Sequence, residues 1–100
     1  MADIEIAVAH EFETNAEGCF GLGMIYSAGA GVAVDLVQAH KWFNIAAMRG
    51  HSDAARLRRE IAEQMCDSEI GTAQRAARDW LKSHPQAPAP APVEEVRAAA

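Results

Sequence analysis

Between Ser27 and Leu36 the chain reads "SAGAGVAVDL", and the apolar residues on both sides of this stretch recur at helical spacing. On the N-terminal side, Gly18, Cys19, Leu22 and Tyr26 share one face of a helix that Asn15 can cap and that runs to about Ala28. Gly29 and Gly31 stop it, because glycine enters left-handed backbone conformations cheaply. Val32 can then plug the bend against the core. Asp35 is a strong N-cap for a second helix, from Leu36 to about Arg49, whose face is Leu36, Ala39, Trp42, Phe43, Ala46 and Gly50. A helix-forming sequence broken by a short glycine cluster and resumed at once is the elbow of a helical hairpin.

The rest of the chain continues the pattern less tidily. A third helix is predicted from Ser52 or Asp53 to near Met65, with Ala54, Leu57, Ile61 and Met65 on one face. After a tight turn at "CDSE", Asp67 or Ser68 caps a fourth helix that carries Ile70, Ala73, Ala77, Trp80 and Leu81 inward and stops at Pro85. The alternating alanine and proline of "PQAPAPAPVEEVRAAA" favours extended polyproline II and cannot build a core. The expected organisation is an N-terminal segment over 1–14, packed as a helix or arm on the first helix pair, a helical domain over 15–84 and a flexible tail over 85–100. The fold class is all-α, two antiparallel helix pairs joined by short turns.

One hundred residues suit one domain with a thin core, so efficient helix packing must carry its stability. Half the residues are apolar, and many of those are alanine, which favours helix and lets helices approach closely. The net charge of −5 is unevenly spread: Asp3, Glu5, Glu11, Glu13 and Glu17 precede any lysine or arginine. The later basic residues are interleaved with acids, as on a solvated helix face, which argues against nucleic-acid binding. No apolar run approaches the ~18 residues of a membrane span, and the N-terminus lacks the basic start of a signal peptide, so the expectation is a soluble, cytoplasmic protein. Cys19 and Cys66 are too few and too far apart for a disulfide framework or zinc site and read as small buried apolar residues. His10, His40, His51 and His84 show no metal-ligand spacing, and neither a catalytic constellation nor a phosphate loop is recognisable. No metal, no cofactor and no enzymatic activity are expected.

The small residues of the hairpin stand in fixed register. Leu22-Gly23-x-x-Tyr26 and Ala39-x-x-x-Phe43 match two parts of the tetratricopeptide pattern, but Tyr26 and Ala39 are further apart than that pattern allows. With the surplus loop included, the run Leu22-Gly23-x-x-Tyr26, Gly29-x-Gly31-Val32-x-x-Asp35, Ala39-x-x-Trp42, Ala46-Ala47-x-x-Gly50 resembles a Sel1-like repeat. The likeness is strong over Asn15 to Ala54. It weakens beyond, where Arg58 and Arg59 stand at positions expected to be small, so the third and fourth helices resemble a degenerate capping repeat with a polar outer face. The resemblance implies an alpha-solenoid of one full repeat plus a cap. It also implies protein–protein interaction without catalysis, as a small adaptor or regulatory subunit.

Candidate contact residues lie on the faces left outside. Glu17, Phe20, Met24 and Ser27 occupy the side of the first helix away from Leu22 and Tyr26, where Phe20 and Met24 could anchor a partner peptide with Glu17 as a rim charge. The N-terminal segment, with Ile4, Ile6, Val8 and Phe12, could instead cover them. Ile45 and Met48 are placed on the outer side of the second helix and could mark a partner site or a homodimer contact. The acidic N-terminal third favours a partner with a basic surface. A structural subunit or homo-oligomeric component of a larger complex is the alternative. Trp42, Phe43 and Trp80 are assigned to the core.

Overall fold

The computed structural model describes residues 15–85 as four helices: α1 (Ala16–Ala28), α2 (Leu36–Met48), α3 (Ser52–Ala62) and α4 (Asp67–Ser83). The expectations for the N-terminal segment and for the tail beyond Pro85 lie outside the described residues. Among those described there are helices and no strands.

The elbow is built as its sequence requires. The side chain of Asn15 accepts a hydrogen bond from the Gly18 amide at 2.8 Å, opening α1. Gly29 closes α1 at φ +72°, and its amide donates to the carbonyl of Ile25 at 2.9 Å. A side chain at Gly29 would also meet Val34, whose Cγ2 lies 2.8 Å from where a Cβ would stand. The loop returns at once: the Asp35 amide donates to the Tyr26 carbonyl at 3.0 Å, while the Asp35 carboxylate accepts from the Gln38 amide at 3.1 Å. One residue thus ends the loop and starts α2. Val32 packs half-buried against the core, as expected.

α1 and α2 then cross at their smallest residue. A Cβ on Gly23 would lie 2.5 Å from Cδ1 and Cε1 of Phe43, so the ring occupies the space that any larger residue would need. Around this contact Cys19, Leu22, Ala39, Trp42, Phe43, Ile45 and Ala46 are all at 2 % exposure or less. Phe43 and Trp42 are core residues, and Trp80 packs against that core from α4.

The second half departs from a simple second hairpin. α3 and α4 each pack on α2, but their backbones meet each other at fewer points than either meets α2. Arg58 explains part of the spacing: its guanidinium donates to Oδ1 of Asn44 on α2 at 2.6 Å, and so aims at α2 rather than leaving a small face for α4. α2 is therefore a central helix with neighbours on three sides. That corrects the reading of Ile45 as an outward-facing contact residue: it is fully buried. Two smaller corrections concern the turn between α3 and α4. α3 ends at Ala62 and the turn runs through Met65. Cys66, not Asp67 or Ser68, holds the N-cap position of α4; its amide donates to the Glu69 carboxylate at 2.9 Å, and it is exposed rather than buried.

Two substitutions test the crossing. Gly23→Ala should gain about 1 kcal/mol from helix propensity. Overpacking against the buried Phe43 ring typically costs about 1–3 kcal/mol, so the net effect should be destabilising. Trp42→Ala should cost about 3–5 kcal/mol, as for other buried aromatic truncations. Both are checked by thermal melts, where each kcal/mol corresponds to about 4–8 °C in a domain of this size. An unchanged or raised Tm for Gly23→Ala would show that the helices are not held at this distance.

Candidate functional site

Glu17, Phe20, Met24 and Ser27 stand at successive turns of α1, and the structure gives them unequal roles. Phe20 is half-buried: its ring stacks on the His51 imidazole at 3.9 Å centroid separation and 8° between planes, and lies 5.6 Å from the Phe43 ring. Nε2 of His51 lies 3.1 Å from a carboxylate oxygen of Glu17, which is itself largely in solvent. The three side chains tie the start of α1 to the corner between α2 and α3. Phe20 is thus already engaged, and Met24 is the exposed apolar group of this face, at 44 %. The Ser27 hydroxyl donates to the Met24 carbonyl at 3.1 Å, one turn back along the helix.

Met48 belongs to a different surface. At 66 % it is the most exposed large apolar side chain among the described residues. It lines an open groove of about 550 Å³ between α2 and α4, with Asn44 from α2 and Gln74, Arg78, Leu81 and Lys82 from α4. Met24 is not among its walls. Sequence reasoning missed this groove, although the signal was present: Gln74, Arg78, Leu81 and Lys82 recur at the three- and four-residue spacing of one helical face.

A group of rings and cations lies at the α2–α4 contact. Trp42 and Trp80 meet edge-on at 5.2 Å, and Trp80 stacks on His84 at 4.2 Å. The Arg49 guanidinium lies 5.1 Å from the Trp80 ring and donates to the His84 carbonyl. Lys41 caps the stack with its ammonium 4.5 Å from the Trp42 ring. Of the two cations Arg49 joins α2 to α4, while Lys41 lies over a ring of its own helix; a cation–ring contact contributes about 0.5–1 kcal/mol when exposed.

The buried titratable groups are structural. Burial pushes the Cys19 thiol up to about 11, so it stays protonated and unreactive. His40 is 3 % exposed on α2, and its pKa is lowered by burial and, secondarily, by the Arg58 cation. Among the described residues no three His, Cys, Asp or Glu side chains are grouped so as to hold a metal ion. No helix among them is long and apolar enough to cross a membrane.

Compared with known protein families, residues 16–51 match the Sel1 repeat: all of α1, the glycine elbow, α2 and the corner at His51. A search of curated proteins and a search of solved structures each found no match. Sel1 repeats generally mediate protein–protein interaction and are not catalytic modules.

Two measurements check the buried groups. A thiol reagent under native conditions should label one cysteine, Cys66, and reach Cys19 only on unfolding. His40 binds its proton less readily folded than unfolded, so the stability it permits is complete above the ordinary histidine range and is lost as pH falls through it. Tm should therefore fall between about pH 7.5 and 5.5, the range around an ordinary histidine, and His40→Leu should flatten that slope; an equal slope in both proteins would remove His40 as its source.

Proposed function

We propose that this chain, which carries a Sel1 repeat at residues 16–51, is a protein–protein interaction module acting as a small adaptor or regulatory subunit. The observation that carries the reading is Met24, an exposed apolar side chain on α1 of the matched repeat, beside the clustered Glu17, His51 and Phe20. Helix faces of this kind hold partner segments by apolar anchors inside a polar rim. Met24 is the anchor, Glu17 the rim charge, and Phe20 stiffens the surface from beneath through His51 and Phe43. Ser27 lies at the far end of the same face. Asp3, Glu5, Glu11 and Glu13 add to the negative charge of Glu17 along the sequence and favour a basic partner surface.

The second reading, a structural subunit of a larger complex or a homo-oligomer, is favoured by one observation: Met48 is more exposed than Met24. In that case contact runs through Met48.

Affinity capture from the native host, with the full chain as bait, separates the two. Met24→Glu should reduce the captured partner about tenfold while leaving Tm within a few degrees, since the side chain is exposed and its loss removes an interface anchor worth about 1–2 kcal/mol. Retention by Met24→Glu with loss by Met48→Glu would move the contact to α2. A ladder of sizes with concentration in gel filtration would favour self-association. Enrichment of nothing by the wild-type chain would overturn the interaction reading.

A further inference from the structure

The groove between α2 and α4 has a chemistry that the α1 face lacks. Its apolar lining residues are Met48 and Leu81, and its ionisable lining residues are both cations, Arg78 and Lys82. The charged residues over 15–85 balance, eight acids against eight lysines and arginines, so a groove lined by cations alone is a local concentration. Most other cations of the helices are engaged. Arg56 pairs with Asp53 and Glu60, Arg58 bonds Asn44, and Arg75 donates to Thr72. Arg49 and Lys41 lie over tryptophan rings. Among the described residues Arg78 and Lys82 make no ion pair and no side-chain hydrogen bond, and both are exposed. Lys82 also sits in the last turn of α4, where a cation favours the helix dipole, but Arg78 lies a turn earlier and has no such role.

The form of the groove agrees with its charge. It runs between α2 and α4, and Asn44 in its lining is held by Arg58. Methionine adapts its unbranched side chain to different apolar shapes, which suits a groove wall that must accept a partner's side chain. Guanidinium and ammonium groups in its lining suit carboxylates, bidentate at Arg78 and as a point charge at Lys82.

We infer that this groove is a second docking site, for an acidic segment of a protein partner in which a bulky apolar side chain is flanked by carboxylates. The apolar side chain seats on Met48 and Leu81, and the carboxylates pair with Arg78 and Lys82. The site is separate from the α1 face and does not depend on it, so the chain can hold a basic partner on one side and an acidic one on the other.

The test uses the full chain and a short fluorescein-labelled peptide with a central leucine flanked by glutamates, beside its glutamine and lysine counterparts. Binding is read by anisotropy and by the NMR signal of the Met48 methyl group. The acidic peptide should bind, shift that methyl and weaken severalfold as salt is raised through the physiological range. Arg78→Glu with Lys82→Glu should weaken it about tenfold or more and reverse the preference toward the lysine peptide, while Met24→Glu should leave it unchanged. All three substituted positions are exposed, and a thermal melt confirms folding. Equal binding of the three peptides, binding without a Met48 shift, or no effect of the charge reversal would overturn the proposal. So would a Met48 signal in peptide-free protein that moves on dilution, which assigns the groove to a second copy. A signal that moves with Glu94→Gln and Glu95→Gln would assign it to the chain's own tail and overturn it equally.

Discussion

The Phe43 ring lies against the backbone of Gly23, and the rest of the helical packing takes its spacing from that contact. Helices with ordinary side chains at the crossing sit about 8–10 Å apart. A glycine under a ring permits close approach, and close approach lets short residues fill the interface. Cys19, Ala39 and Ala46 are fully buried although none is large. The sequence has only six aromatic residues with which to build a core. Bringing two helices together is how so small an apolar volume becomes continuous. The glycine elbow serves the same end by returning the chain within a few residues and anchoring both helix termini to each other through Tyr26 and Asp35.

Once α1 and α2 are fixed, the remaining helices have one place to go. α2 has apolar or small residues around most of its circumference, and a helix of that kind must be covered on several sides. α4 uses Trp80 against Trp42, secured by Arg49 and His84, and α3 uses Arg58 on Asn44 beside the buried His40. Neither needs the other as its main partner. The separation of α3 from α4 is therefore a consequence of how each binds α2, and the groove beside Met48 lies between α2 and α4.

Local signals make the first half of the fold legible. Asn15, Gly29 and Asp35 act on their own neighbours in sequence, and a cap or a left-handed turn is decided within four residues. The pattern from Leu22 to Gly50 is equally readable because each small residue has a fixed helical register, and it leads to the repeat that the family match bears out. The errors arise where a residue's fate depends on distant chain. Ile45 lies off the Leu36–Ala46 stripe, so one-sided periodicity places it outside; its burial follows from α2 having three neighbours. Cys66 has the composition of a buried thiol, yet the backbone amide at that position needs an acceptor and finds Glu69, which fixes it at a helix end in solvent. The stacking of His51 on Phe20 is also not legible from α1, because His51 lies beyond the elbow and α2. Of the candidate contact residues, Met24 and Met48 stand exposed, on two different helices.

The distribution of charge has a physical consequence for the helical surface. The whole excess of −5 lies outside residues 15–85, in Asp3, Glu5, Glu11, Glu13, Glu94 and Glu95 against Arg97. The helical part is formally neutral, so its long-range field is weak and its selectivity must come from short-range arrangement. Within a Debye length of about 8 Å at physiological salt, what a partner meets is local: a carboxylate and Met24 on α1, or two cations around Met48 in the groove. On the two docking sites proposed above, a formally neutral helical part with opposite signs on separate faces selects partners by contact rather than by steering. For a chain with so thin a core this arrangement costs little stability, because each exposed methionine removes little from the packed interior while leaving the surface an apolar point around which the nearby charges decide what fits.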